Sequence, residues 1–228
     1  MSTRSSPNAL RRLLLVRHGL PDYRGGHAGD LWPGPPLSPI GRIQAAQAAE
    51  VIAPLEPLTV YASPLARTWQ TAEIIARTLG QRPRAAPDLR EWHRCESLHE
   101  VAVRLSRWLV AWLRSDEPCA VAVSHASPLL AVLRSALYLP HAKWHRTGQP
   151  NHLEVSSADR FEVSMASVFE LTIERDRVAA RCLFHPTPRV QHAVRGGHVV
   201  RLPRPVVGHG EATECVRPGL LHLVGGPS

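Results

Sequence analysis

Short apolar runs that each end on polar residues, followed by helix-start signals, constrain this chain most. Leu13 to Val16 is four apolar residues closing on Arg17-His18-Gly19. Thr59 to Ala62 closes on Ser63-Pro64, and Ala120 to Val123 closes on Ser124-His125-Ala126-Ser127-Pro128. Runs this short and this apolar suit strands buried on both faces of a parallel sheet. Ser38-Pro39, Ser63-Pro64 and Ser127-Pro128 each read as an N-cap with proline at the first helical position. The spacing predicts helices from Pro39 to about Ile52, from Pro64 to about Leu79, from about Leu98 to Leu113 and from Pro128 to about Leu139. Residues 167–173 and 178–184 read as two adjacent strands around a polar turn.

Strands alternating with helices specify an α/β layer fold, in which ligands sit beyond the carboxyl ends of the strands. In 228 residues with 44% hydrophobic content there is room for one sizeable core. The reading is a flexible terminus at 1–10, one domain at 11–187, and a Pro/Gly/Arg-rich tail at 188–228, largely disordered by composition. The Pro/Gly-rich stretch Leu20 to Pro36 is a loop long enough to be functional.

The formal charge of +8 is carried by arginine, since Lys143 is the sole lysine. Arginine recognises phosphate and carboxylate in planar, bidentate fashion. The arginines are scattered, with no basic helix or aromatic-interleaved stripe, which argues against a nucleic-acid partner. Cys95, Cys119, Cys182 and Cys215 form no CxxC pair and no secreted framework. That argues against a zinc site or disulfide scaffold and for a reducing cytoplasm. No apolar run approaches membrane-spanning length. The expected partner is a small phosphate ester, with no nucleic acid, membrane, metal or other cofactor, and the oligomeric state stays open.

Arg67 falls in the first turn of its helix, where the macrodipole disfavours a cation. Its presence there makes sense if an anion shares the site. His125 stands just ahead of a helix whose free amides also favour an anion. Singly, each has a plain structural explanation: Arg67 a solvated helix face, His125 a satisfied buried histidine. Together at three strand ends they point to a phosphate pocket.

The motifs LLLVRHG (13–19), LSPIGRIQA (37–45), SPLARTWQTA (63–72), LREWHRCES (89–97) and VSHASPLLAVL (123–133) stand in the order found in the histidine phosphatase superfamily, which includes the cofactor-dependent phosphoglycerate mutases. The chain resembles that family over about residues 11–187. The resemblance implies a three-layer α/β/α sandwich with a mainly parallel sheet. It also implies a phosphomonoester hydrolase working through a phosphohistidine on His18, with Arg17, Arg67 and His125 on the phosphoryl oxygens and Glu91 as general acid. Glu96 is the substitute proton donor, and His93 a further possibility without motif support. Two departures from the family stand out. Arg24 occupies a position where the mutases carry a phosphate-contacting asparagine, which makes it a candidate substrate-binding residue. Only 33 residues lie between Glu91 and His125, too few for the long insertion that covers the site in mutases. The alternatives are therefore a phosphoglycerate-type mutase and a phosphate-binding module without turnover.

Overall fold

The computed structural model describes residues 10–26, 31–93, 95–137, 152–154, 160–174, 177–186 and 213–216. Among the described residues nine strands and four α-helices run in the order β1 (Arg11–Arg17), α1 (Pro39–Ile52), β2 (Thr59–Ala62), α2 (Ala66–Thr78), β3 (Arg84–Ala85), α3 (Leu98–Leu113), β4 (Cys119–Ser124), α4 (Ala126–Leu137), β5 (His152–Glu154), β6 (Arg160–Glu162), β7 (Val168–Glu174), β8 (Arg177–Phe184) and β9 (Thr213–Val216). One seven-stranded sheet has the order β3-β2-β4-β1-β7-β8-β9, and β5 pairs with β6 separately. β3, β2, β4 and β1 are mutually parallel, whereas the β1–β7, β7–β8 and β8–β9 pairs are antiparallel. Five of the seven strands therefore share a direction, and β7 and β9 oppose it.

The side-chain period of two divides β1 between two cores. Leu14 and Val16 pack with Ala48, Ala49 and Ile52 of α1 and with Ala72, Ile75 and Ala76 of α2. Leu13 and Leu15 pack with Leu105, Trp108 and Trp112 of α3 and with Leu129 and Leu133 of α4. All four β1 side chains are at most 1% exposed, so each contributes about 1.5–3 kcal/mol by leaving water. Helices cover both faces, giving the expected three layers. Among the described residues no helix is long and apolar enough to cross a membrane.

Two helix starts differ from expectation. α2 begins at Ala66 rather than Pro64, because the Ser63 hydroxyl is engaged by His125 and does not cap the helix. The Ala66 N–H is satisfied instead by the Pro33 carbonyl at 2.7 Å. α4 begins at Ala126 rather than Pro128: the Leu129 N–H donates to the His125 carbonyl, closing a helical turn before the proline. α1 and α3 start as the sequence predicts, capped by Ser38 and by a Ser97–Glu100 capping box.

Within the carboxy-terminal segment Thr213–Val216 adds to the sheet as β9, a strand the sequence did not announce. The segment's remaining residues, the amino-terminal nine and most of 141–162 lie outside the described residues.

Candidate active site

Three strand ends deliver the site. Arg17 ends β1 and His18 follows; Ala62 ends β2 and Ser63 follows; Ser124 ends β4 and His125 follows. β1 and β2 flank β4 on opposite sides, so these ends are adjacent by topology. The His18 N–H donates to the Ser124 carbonyl at 3.1 Å and the Ser63 N–H to the Val123 carbonyl at 3.1 Å, extending the ladder into the loops.

His18 is 3% exposed. Its Nδ1 lies 2.8 Å from the Gly19 carbonyl, which can only accept, so Nδ1 carries the proton. Nε2 is then a lone pair, and Arg67 Nε donates to it at 3.1 Å. Burial first, then the Arg67 and Arg17 charges, hold the imidazole well below its ordinary 6.5. His18 is thus a neutral base whose free nitrogen faces an arginine.

Arg67 also reaches His125, with Nη2 3.0 Å from Nδ1, while His125 Nε2 lies 3.0 Å from the Ser63 hydroxyl. With Arg67 donating, His125 is the Nε2–H tautomer and donates to Ser63. The two imidazoles meet edge to face, centroids 5.1 Å apart. Burial, followed by the neighbouring His18 and Arg67, holds His125 well below 6.5 as well. Arg17 Nη1 donates to the Val163 carbonyl at 2.7 Å, and its Nε has no hydrogen-bond partner among the described residues. Burial pushes its guanidinium down to about 10, and it stays charged at neutral pH.

Glu91 completes the group. Its Oε2 stands 3.8 Å from His125 Nδ1, Oε1 accepts from the Trp92 N–H at 2.9 Å, and the Ser127 hydroxyl bonds the carboxyl. Burial raises its pKa above the usual carboxylate range, outweighing the Trp92 N–H and the Arg67 and Arg17 charges. Glu96 is different. Partial burial pushes it up, but Arg104, the His93 N–H and the nearby cations prevail and hold it below its ordinary value. His93 supports this loop, its Nδ1 accepting from the Cys95 N–H. Arg24 lies outside the buried cluster, its side chain 82% exposed and held by Asp22.

Sequence reasoning missed several supports. Thr71 accepts from the Gly19 N–H and donates to the Arg67 carbonyl, tying the turn after β1 to α2. Gln44 accepts from the Leu20 N–H. Arg104 donates to the carbonyls of Asp88, Arg90 and Glu91 and so shapes the Glu91 loop. The one legible signal was Arg104 itself, a cation on the face of α3 that carries Val101, Leu105 and Trp108. Gly19 and Gly41 are dictated by close approach: a Cβ at Gly41 would stand 2.1 Å from the Leu20 carbonyl oxygen, and one at Gly19 would stand 2.3 Å from that of Gly41.

Two neutral imidazoles, two buried guanidiniums and a carboxyl raised toward its protonated form thus stand together, an arrangement with the charge to hold an anion beside a nitrogen lone pair and a protonatable carboxyl. Residues 13–95 match the model of the histidine phosphatase superfamily (branch 1). Over 180 aligned residues the chain is 32% identical to glucosyl-3-phosphoglycerate phosphatase of Mycobacterium tuberculosis, covering 60% of this chain and 80% of that protein. The chain belongs to the histidine phosphatase superfamily. This histidine phosphatase also matches the native structure of mycobacterial glucosyl-3-phosphoglycerate phosphatase, with TM-score 0.54 and 29% identity over 72% of this chain and 90% of the other. A phosphoglycerate mutase from Bacillus anthracis str. Sterne shares the fold, with TM-score 0.58 and 13% identity over 74% of this chain and 90% of that one. Like the glucosyl-3-phosphoglycerate phosphatases, the histidine phosphatase described here is a hydrolase of the phosphatase type.

Proposed function

We propose that His18 is the nucleophile of a metal-independent phosphomonoesterase whose substrate is a phosphoglycerate-type ester bearing a sugar. The observation that carries the reading is the fixed tautomer of His18, with Nδ1–H on the Gly19 carbonyl and the Nε2 lone pair directed at Arg67 Nε, 3.1 Å away.

In the resting enzyme Arg67 occupies that lone pair. An arriving phosphoryl group offers Arg67 and Arg17 better acceptors in its anionic oxygens, which frees Nε2 to attack phosphorus. The Nε2–P bond forms as the bond to the ester oxygen breaks, and the protonated Glu91 gives its proton to the departing alkoxide. Water then attacks the phosphohistidine and gives a proton to the Glu91 carboxylate. The Nε2–P bond breaks and inorganic phosphate leaves. The fixed cations balance the charge spread over the phosphoryl oxygens in both steps. His125, donating to Ser63, holds the second face of the pocket. Once Arg67 turns to the substrate, the His125 Nδ1 is released to take up a proton, and only in that protonated form does it donate to a phosphoryl oxygen. Arg24 acts at the rim on the incoming anion.

The sugar-bearing substrate class rests on the names of the mycobacterial relatives. The short span between Glu91 and His125 favours hydrolysis over transfer to a second substrate, which is why the mutase reading comes second. We take 11–187 as the catalytic domain and the cytoplasm as its compartment. No nucleic-acid or membrane partner enters the scheme.

The test is to supply the full-length protein with glucosyl-3-phosphoglycerate, measure inorganic phosphate, and quench rapidly to recover an acid-labile phosphoryl adduct. Phosphate release with the adduct on His18 is the expected result. Release with no adduct, or with one on another residue, overturns the phosphohistidine path. An isomerised phosphate ester in place of inorganic phosphate supports the mutase, and tight phosphate binding without turnover supports the binding module.

A further inference from the structure

The loop that leaves the His18 motif is pinned where it returns. Its base is closed by a Pro21–Leu37 bridge, by the Asp22 N–H to the Pro36 carbonyl at 2.8 Å, and by the Ser38 N–H to the Leu20 carbonyl at 2.9 Å. The returning arm is fixed to α2 at two points: the Pro33 carbonyl accepts from the Ala66 N–H at 2.7 Å, and the Leu37 N–H donates to Gln70 Oε1 at 2.8 Å. Gly34 and Pro35 between them are buried. Ala66 immediately precedes Arg67, so this arm is bonded to the helix turn that carries the Arg67 guanidinium into the cluster.

One residue before that anchor stands Trp32, 77% exposed. On the outgoing arm Tyr23 is 56% exposed and within electrostatic reach of the Arg17 guanidinium. A large indole presented to water next to a doubly anchored backbone is a contact surface already held in place, so little ordering entropy is lost when something rests on it.

We propose that Trp32 is a specificity-determining residue: its indole is the platform for the sugar ring in the alcohol part of the ester, while the phosphoryl group sits among Arg17, His18 and Arg67. The proposal rests on the phosphatase reading of His18. A pyranose ring has a face of C–H groups and a polar rim, matching the apolar face and N–H edge of an indole. A bare 3-phosphoglycerate has no such face and takes nothing from Trp32.

The experiment compares kcat/KM for glucosyl-3-phosphoglycerate and for 3-phosphoglycerate in the full-length wild type, Trp32→Ala and Trp32→Phe. The preference for the sugar-bearing ester should fall about tenfold in Trp32→Ala, within the range that one aromatic stacking contact contributes. The loss should lie mainly in KM, with Trp32→Phe retaining most of the preference. Equal losses for both esters would mean that Trp32 only shapes the loop, and no change in either would mean that it touches nothing; both overturn the proposal. A wild type that hydrolyses 3-phosphoglycerate as efficiently as the sugar-bearing ester overturns it too, and leaves the phosphatase reading intact. So does a Trp32-dependent preference for nucleoside monophosphates, which would assign the indole to a base. A His18→Ala variant that keeps full activity is a different failure, that of the underlying chemistry.

Discussion

Arg104 grips Glu96 with two N–H···O bonds, Nε to Oε1 at 2.9 Å and Nη2 to Oε2 at 3.0 Å, and with the same Nη2 reaches the Glu91 carbonyl at 3.2 Å. One acid is thereby spent on positioning the loop that presents the other. Glu91→Gln should slow an alkyl phosphate by about 10² to 10⁴ and p-nitrophenyl phosphate much less, since general acid catalysis matters most for a basic leaving group. Glu96→Gln should slow both esters alike and lower the melting temperature. A leaving-group-dependent loss in Glu96→Gln, with equal losses in Glu91→Gln, would exchange the two roles.

His18→Ala should fold and lose turnover by roughly 10³-fold or more, since it removes the nitrogen proposed to accept the phosphoryl group. Circular dichroism and phosphate release on the same preparation check both halves. Residual activity within about tenfold of wild type would remove His18 from the nucleophile's role.

Stability should fall on acidification below about 6.5. His18 and His125 are held neutral in the folded state while the unfolded chain protonates near 6.5, so the unfolded state binds more protons in that window. Each histidine then costs up to about 1.4 kcal/mol per pH unit. Glu91, raised above its ordinary 4.5, works the other way: its contribution is present below 4.5 and is lost as pH rises through the folded value. Two histidines against one glutamate leave a net loss toward acid. Melting temperatures between pH 7.5 and 5 should show it, with a shallower slope in His18→Gln and a steeper one in Glu91→Gln.

Gly41→Ala should destabilise the fold by about 1–3 kcal/mol and depress kcat together, because the new methyl group displaces Leu20 and with it the turn that carries His18. Gly80→Ala, strained at φ +67° but with nothing within 4 Å of the new carbon, should cost stability without touching kcat. Equal kcat losses in the two variants would contradict this.

Deleting residues 189–228 should leave turnover unchanged and promote self-association, since loss of β9 uncovers the β8 edge. Analytical ultracentrifugation of the truncated chain checks it. A truncated chain that stays dispersed would show that β9 protects nothing.

Much of this was legible because polar residues that end an apolar strand have few places to go. Arg17, His18 and His125 announced themselves that way, and Arg67 by sitting where a helix dipole opposes it. Ser63 was visible too, but as a cap, because only the folded chain brings the His125 ring to its hydroxyl. The Val163 carbonyl carries no sequence signal, since every residue has one. β9 was missed because a four-residue strand in a Pro/Gly-rich background lacks periodicity.

Arg17 closes on Val163 across a sequence separation of 146, and the Ala166 N–H donates back to the His18 carbonyl. A growing chain therefore carries its RHG tripeptide long before the turn that fixes it has been synthesised. Strand-end residues made first wait for a carbonyl made late, and a contact this distant in sequence forms slowly. Until about residue 167 leaves the ribosome, the nascent chain carries His18 without the contacts that complete its cradle, so chains terminated before that point should show no turnover.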